Sequence, residues 1–263
     1  MGPARQTQRL CGCLRSIEHL RLPQLLRQRK SRSLLLTAGE VKLSVCKIRT
    51  RFLILLVVAA SIACSAQEGK VENTGPLTET GVPEAVRQTL DSKGYRVLLD
   101  NGSPFCELWI RKSVPSQPKK DSQDMIYSQL AESTLIGVLH FPKAGSDFRG
   151  QAIPAGFYTL RYALVPNDGN HLGVAPNRDF VLLLPAASDA DPNATLTFPD
   201  LVALSRAATG TKHPGPLSLV EPGGSAPKVS RDDQDHWIFY AAMKMVSGED
   251  LPFALVVKGT AQQ

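Results

Sequence analysis

Residues 152–185, AIPAGFYTLRYALVPNDGNHLGVAPNRDFVLLLP, constrain this chain more than any other stretch. From Phe157 to Val165 the side chains alternate. Tyr158, Leu160, Tyr162 and Leu164 fall on one face, and Thr159, Arg161 and Ala163 on the other. Strict period two predicts a strand with one buried and one polar face. Phe180 to Leu184 is apolar without alternation and stops at Pro185, which predicts a central strand buried on both faces. Between them, NDGNHLGVAPNRD is polar and glycine-rich, and it is the first place to look for a site. Leu172, Val174, Pro176 and the neighbouring Arg178 and Asp179 predict that this loop is ordered.

Charge divides the chain in two. Residues 1–66 hold 12 of the 30 Lys and Arg but only 2 of the 24 Asp and Glu, a local charge of +10; the remainder carries 18 basic and 22 acidic residues, or −4. A basic chain ordinarily raises nucleic acid as a partner. Here the excess lies in the leader, so nucleic acid is not expected. Residues 1–40 form a basic leader, rich in Arg, Gln and Leu, that is expected to be absent from the mature protein. The other reading of this leader is a basic amphipathic helix on a membrane surface. From Val41 the order is Lys42, Lys47, Arg49 and Arg51, then apolar Phe52 to Ile62, then small residues. That order is a complete secretory signal over 41–66 and puts the expected start of translation near Val41. Its apolar run, about 15 residues, is short of the ~20 that span a bilayer, so an uncleaved anchor is the second reading. Ser61-Ile62-Ala63-Cys64 resembles a lipobox with Cys64 as the lipidated residue; the competing cut falls after Ala66. Either cut makes the protein exported, to the cell envelope on a lipid anchor or to the periplasm or medium.

Of the five cysteines only Cys106 clearly belongs to the mature domain, which excludes an intramolecular disulfide there. It lies in the apolar run FCELWI and reads as a buried, inert thiol.

Residues 67–82, polar and aperiodic, predict a flexible linker. The domain is expected over 83–263. Pro83 to Leu90 reads as a short helix. YRVLLD and PFCELWIRK flank Asp100-Asn101-Gly102 as a hairpin. A short helix over 126–132 and a strand over 134–141 follow. A helix over 200–208 is stopped by Gly210, and a long surface excursion covers 211–235. Strands over 236–246 and 252–258 close the chain. With no strand–helix alternation, these elements predict a mainly β domain: a single antiparallel β-sandwich of about seven strands with one or two short helices.

The pattern PAGFYTLRYAL, then DGNHLGVAPNRDFVLLLPA, an HW strand and LPFALVVKG, resembles a family of uncharacterised secreted β-sandwich proteins of environmental bacteria, over about 95–259. The shorter Pro-Ala-Gly-x-Tyr-x-Leu piece also resembles the edge of Ig-like and transthyretin-like modules. The resemblance implies fold and export and assigns no activity.

Candidate ligand-binding residues are Asp168, Asn170, His171, Arg178 and Asp179 of the loop, with Arg161 on the polar face of its strand. Arg161 could meet a carboxylate or a sugar, or form a cross-strand salt bridge with Glu107. His140, His171, Asp179 and His236 are the metal candidates, since imidazole and carboxylate together suit zinc or a harder divalent ion. No HExxH, HxH or EF-hand spacing occurs, and no GxSxG. Trp109 and Trp237 could stack on a sugar if exposed, but tryptophan in an apolar strand is ordinarily core. The expected function is a non-enzymatic binding or accessory module of the cell envelope, with no cofactor and with a carbohydrate or envelope component as candidate partner. The alternative is a metal-dependent hydrolase or isomerase built around His171.

Overall fold

The computed structural model describes residues 69–99, 102–119, 125–166 and 177–261. The leader, the signal with Cys64, and Asp168, Asn170 and His171 lie outside the described residues, as does the expected order of residues 167–176.

The strands are β1 (Lys70–Thr74), β2 (Gly94–Leu98), β3 (Pro104–Ile110), β4 (Leu135–Phe141), β5 (Gly145–Ser146), β6 (Ala152–Ile153), β7 (Gly156–Leu164), β8 (Asp179–Pro185), β9 (Pro216–Ser218), β10 (Lys228–Arg231), β11 (Trp237–Lys244) and β12 (Asp250–Lys258). Helix α1 spans Glu84–Thr89 and α2 spans Phe198–Thr209. Seven strands form one sheet in the order β1-β2-β3-β4-β7-β8-β9, β10-β11-β12 form a second, and β5-β6 make a small ribbon. All pairings within the large sheet are antiparallel. The protein is therefore the expected mainly β sandwich, with more strands than the sequence patterns resolved.

The two sheets face each other across one core. Leu108, Leu160, Tyr162 and Val181 of the large sheet pack with Phe239 and Leu255 of the small one. The sheets also meet at their edges. Past β9, Leu219 bridges to Leu255 of β12, and the Val220 N–H donates to the Ala254 carbonyl at 3.1 Å. At the other edge β1 lies against β10. There Gly69 is needed: a Cβ on it would stand 2.8 Å from Val229 Cγ1. This mutual cover reduces the exposed strand edge that otherwise invites pairing with other chains. Pro252, which cannot donate to a ladder, sits on β12 at the outside of the three-stranded sheet, where proline is tolerated.

The outer face of the large sheet carries the helices. Val82, Val86 and Leu90 of the α1 region cover Trp109, Leu135 and Val138. Leu201 of α2 packs with Ala163, Leu182 and Leu184. Helix α2 starts at a capping box, in which the Asp200 N–H donates to Thr197 Oγ1 and the Thr197 N–H to the Asp200 carboxylate. It ends at Gly210, whose φ of 64° is the left-handed cap that glycine adopts without strain.

Three expectations about elements are corrected. The expected linker over 67–82 contains β1, and beyond it Val82 is fully buried while Trp109 Nε1 donates to the Gly75 carbonyl at 2.9 Å. KVENT is too polar and short to show a hydrophobic period because it is an edge strand with little buried surface. The excursion over 211–235 holds β9 and β10, each too short to show a period. The expected helix over 126–132 is a series of turns, tied down by distant side chains. Gln117 Nε2 donates to the carbonyls of Ser128 and Leu130, and the Asp179 carboxylate accepts from the amides of Ile126 and Tyr127. Among the described residues, no helix is long and apolar enough to cross a membrane.

Candidate binding site

Arg161 shows how the fold redefines a face. The alternation on β7 is real, with Tyr158, Leu160 and Tyr162 pointing into the inter-sheet core. The opposite face is also buried, however: Thr159, Arg161 and Ala163 are each 0 % exposed. The segment after the short 3-10 turn Ala186–Ser188 folds back over Thr159 and Arg161, while Ala163 lies under α2. Arg161 Nε and Nη2 grip both oxygens of Asp189 at 2.8 and 2.6 Å. Nη1 donates to the carbonyls of Ser133 and Ala194, and Nη2 also to that of Asp191. A guanidinium has five N–H donors, and all five are in use. The expected exposed polar face, and with it Arg161 as a ligand contact, is therefore corrected: Arg161 is a buried brace. One carbonyl it holds belongs to Ser133, whose φ of 71° is unusual for a residue with a Cβ. The expected cross-strand pair with Glu107 does not form either. Glu107 instead accepts from Arg96 at 2.8 Å and meets His140 Nδ1 at 3.0 Å.

Asp179 is a second buried brace. Its carboxylate accepts from the amides of Ile126 and Tyr127 and from the Tyr162 hydroxyl at 2.8, 2.9 and 2.7 Å. Burial, reinforced by that bond to Asp179, pushes the Tyr162 phenol well above its ordinary range, so it remains a donor. Arg178 Nε donates to the Val165 carbonyl at 2.9 Å. With the Val165 N–H donating to the Arg178 carbonyl, this ties together the two ends of the loop.

The three described metal candidates, His140, Asp179 and His236, do not converge, and His171 lies outside the described residues. His140 stacks on Phe157 beside Glu107, Asp179 holds Tyr127 and Tyr162, and His236 lies between Asp232 and the Thr260 carbonyl, against Phe148. Among the described residues, no group of three or more His, Cys, Asp or Glu is placed to hold a metal ion. Trp109 and Trp237 are both buried and offer no stacking face for a sugar. Cys106 is fully buried, and burial, with the neighbouring Glu107 charge, pushes its thiol far up, away from the reactive thiolate.

A candidate site that the sequence did not signal lies beside α2. A cavity of about 240 Å³ opens between α2, β8, β9 and the turn at Phe148-Arg149. Phe180 of β8 and Pro216 and Ser218 of β9 line one wall, consistent with Phe180 pairing Ser218 and Leu182 pairing Pro216 in the ladder. Phe198 and Val202, four residues apart on one side of α2, line the other. Arg206 continues the same row. Arg149, Lys212 and His213 complete a basic rim, and all four of these side chains are exposed. Among the described residues lining the cavity, none is acidic. Asp147, next to Arg149, is fully buried and turned to its own loop, accepting from the Arg149 and Gln151 amides and Gln151 Nε2. Burial raises its pKa, partly offset by those hydrogen bonds.

Val165 and Pro166, the last described residues before 167–176, also belong to the cavity lining. The basic rim joins two segments far apart in sequence, the turn at Arg149 and the end of α2 with Lys212 and His213 just beyond it. The local signals were the Phe198, Val202, Arg206 row and the Lys212-His213 pair after it.

No family model, curated protein or solved structure matches this chain.

Proposed function

We propose that this chain is an exported, non-enzymatic binding module whose ligand enters the cavity beside α2. The observation that carries this reading is the cavity itself: a concave, mainly apolar pocket with polar groups gathered at its rim, the usual form of a small-molecule site. Its walls come from a sheet and a capped helix, rigid elements that suit preformed recognition.

Export is supported by the charged, apolar and small-residue order of 41–66. A lipidated Cys64 would leave five residues before β1 begins at Lys70. At full extension these reach about 17 Å, so the domain would stand against the membrane rather than on a long stalk. A cut after Ala66 would release it. Intact mass of the protein from its native host decides between them, and a mass that retains Phe52 to Ile62 defeats both cuts and leaves the uncleaved anchor.

The binding reading is tested with the neutral dye N-phenyl-1-naphthylamine and the purified full chain. Its fluorescence should rise saturably. Val202→Trp, which fills the cavity, should abolish that rise without lowering the melting temperature. Equal dye binding by the unchanged and the filled protein would place the binding elsewhere and overturn the reading.

A further inference from the structure

We propose, resting on the cavity reading above, that the ligand is a medium-chain amphipathic carboxylate, bound with its chain in the cavity and its head group at the basic rim. Three observations point the same way.

The first is the division of chemistry along the cavity. Phe148, Val165, Phe180, Phe198 and Val202 supply apolar walls, while Arg149, Arg206, Lys212 and His213 stand at its rim. An apolar interior favours a hydrocarbon, and removing that hydrocarbon from water supplies the affinity. A basic rim with no acidic side chain among the described lining residues favours an anion over a cation or a neutral head.

The second is the origin of the rim. Arg206 lies in the last turn of α2, where a cation also complements the helix dipole, so it alone would prove little. Arg149 comes from the turn before β6, and Lys212 and His213 follow the helix. The dipole does not account for Arg149, which belongs to another segment. Their convergence on one mouth is a property of the tertiary structure.

The third is size. At roughly 30 Å³ for each small group, the share of volume a water takes in the liquid, 240 Å³ holds about eight such groups. That is one hydrocarbon chain of octanoate to decanoate length. It is not the bulk of a two-chain lipid.

The experiment is competition against the same neutral dye, with ligands below their aggregation limits. Decanoate should displace the dye at least about tenfold more tightly than methyl decanoate or decyltrimethylammonium, the gain expected of one charge-assisted hydrogen bond. Affinity along the series from hexanoate to tetradecanoate should stop rising near decanoate. In R149A/R206A/K212A the ratio of decanoate to methyl ester affinity should fall to near one. Lysophosphatidylcholine, with a zwitterionic head and a longer tail, should compete no better than the methyl ester; tighter binding than decanoate would make a membrane lipid the ligand and overturn the proposal. Equal affinity of decanoate and its methyl ester would also overturn it, while leaving the cavity as a binding site. Preference for decanoate that survives in the triple variant would assign the anion effect to the basic leader and overturn it too. If neither ligand displaces the dye and Val202→Trp is without effect, the cavity reading falls as well.

Discussion

Arg161 and the basic residues around α2 are alike in chemistry and opposite in situation. Arg161 is wholly buried, grips Asp189 with two hydrogen bonds and spends its other donors on three backbone carbonyls. Arg149, Arg206 and Lys212 are exposed and rim an apolar cavity. A buried cation must have every donor satisfied, because desolvation costs several kcal/mol that only close partners can offset. Once satisfied, it has nothing left to offer a ligand. The exposed cations keep their charge available. The difference teaches that an arginine in a suggestive strand is weaker evidence of a site than three ordinary basic residues around a hollow.

Stability measurements give the strongest way to break that comparison. Arg161→Met should destabilise the domain by about 3–5 kcal/mol, since it leaves Asp189 buried without its partner. R149A/R206A/K212A should cost no more than about 0.5 kcal/mol per site, as exposed substitutions do. Urea denaturation measures both. Similar losses would mean that the rim is structural and that the contrast is false.

The next test sharpens the claim that the large sheet is buried on both faces. Leu160 points into the inter-sheet core and Leu182 lies under α2; they are 2 % and 0 % exposed. Each change to alanine should cost roughly 2–5 kcal/mol through lost burial and the cavity left behind. A loss below about 1 kcal/mol at Leu182 alone would mean that α2 covers its face loosely.

The smallest effect concerns Glu107, a partly exposed ionic group on the same sheet. Burial alone would raise its pKa, but hydrogen bonds from His140 and Arg96 outweigh it and hold the carboxyl below its ordinary 4.5. A carboxylate depressed in the folded state contributes stability that is present above pH 4.5 and is lost as pH falls through the folded value. Glu107→Gln should therefore cost about 0.5–1 kcal/mol at pH 7 and progressively less below pH 4.5, where the unchanged protein loses the same contribution. Urea midpoints at pH 7 and 3.5 check this. An equal loss at both would show that the group acts through packing and not charge.

Much of the fold was legible because it follows from local pattern. Alternation in GFYTLRYAL gave the direction of Leu160 and Tyr162, the apolar run gave β8 its double burial, and Gly210 ended α2 as expected. What stayed hidden has one physical character: it depends on partners distant in sequence. KVENT becomes a strand only by pairing with β2. Residues 126–132 form turns held by Asp179 and Gln117 from elsewhere in the chain. Period two said that Arg161 faces away from Leu160, and it was right; it could not say that the segment after Ala186–Ser188 would close over that face. The same limit hid the cavity, because an inventory of basic residues along a chain contains no information about which of them meet.

By itself, then, the sequence determined the β class, the alternation of the central strands, the helix stop and the uneven distribution of charge, all of which are properties of neighbours a few residues apart. The tertiary structure alone decided which polar side chains are spent and which are free. Asp179 and Arg161 became braces because segments tens of residues away supplied their hydrogen bonds, and Arg149, Arg206 and Lys212 became a rim because α2 and the Phe148 turn leave a gap over β8 and β9. Packing is a long-range property, and whether a charge is satisfied or available follows from packing.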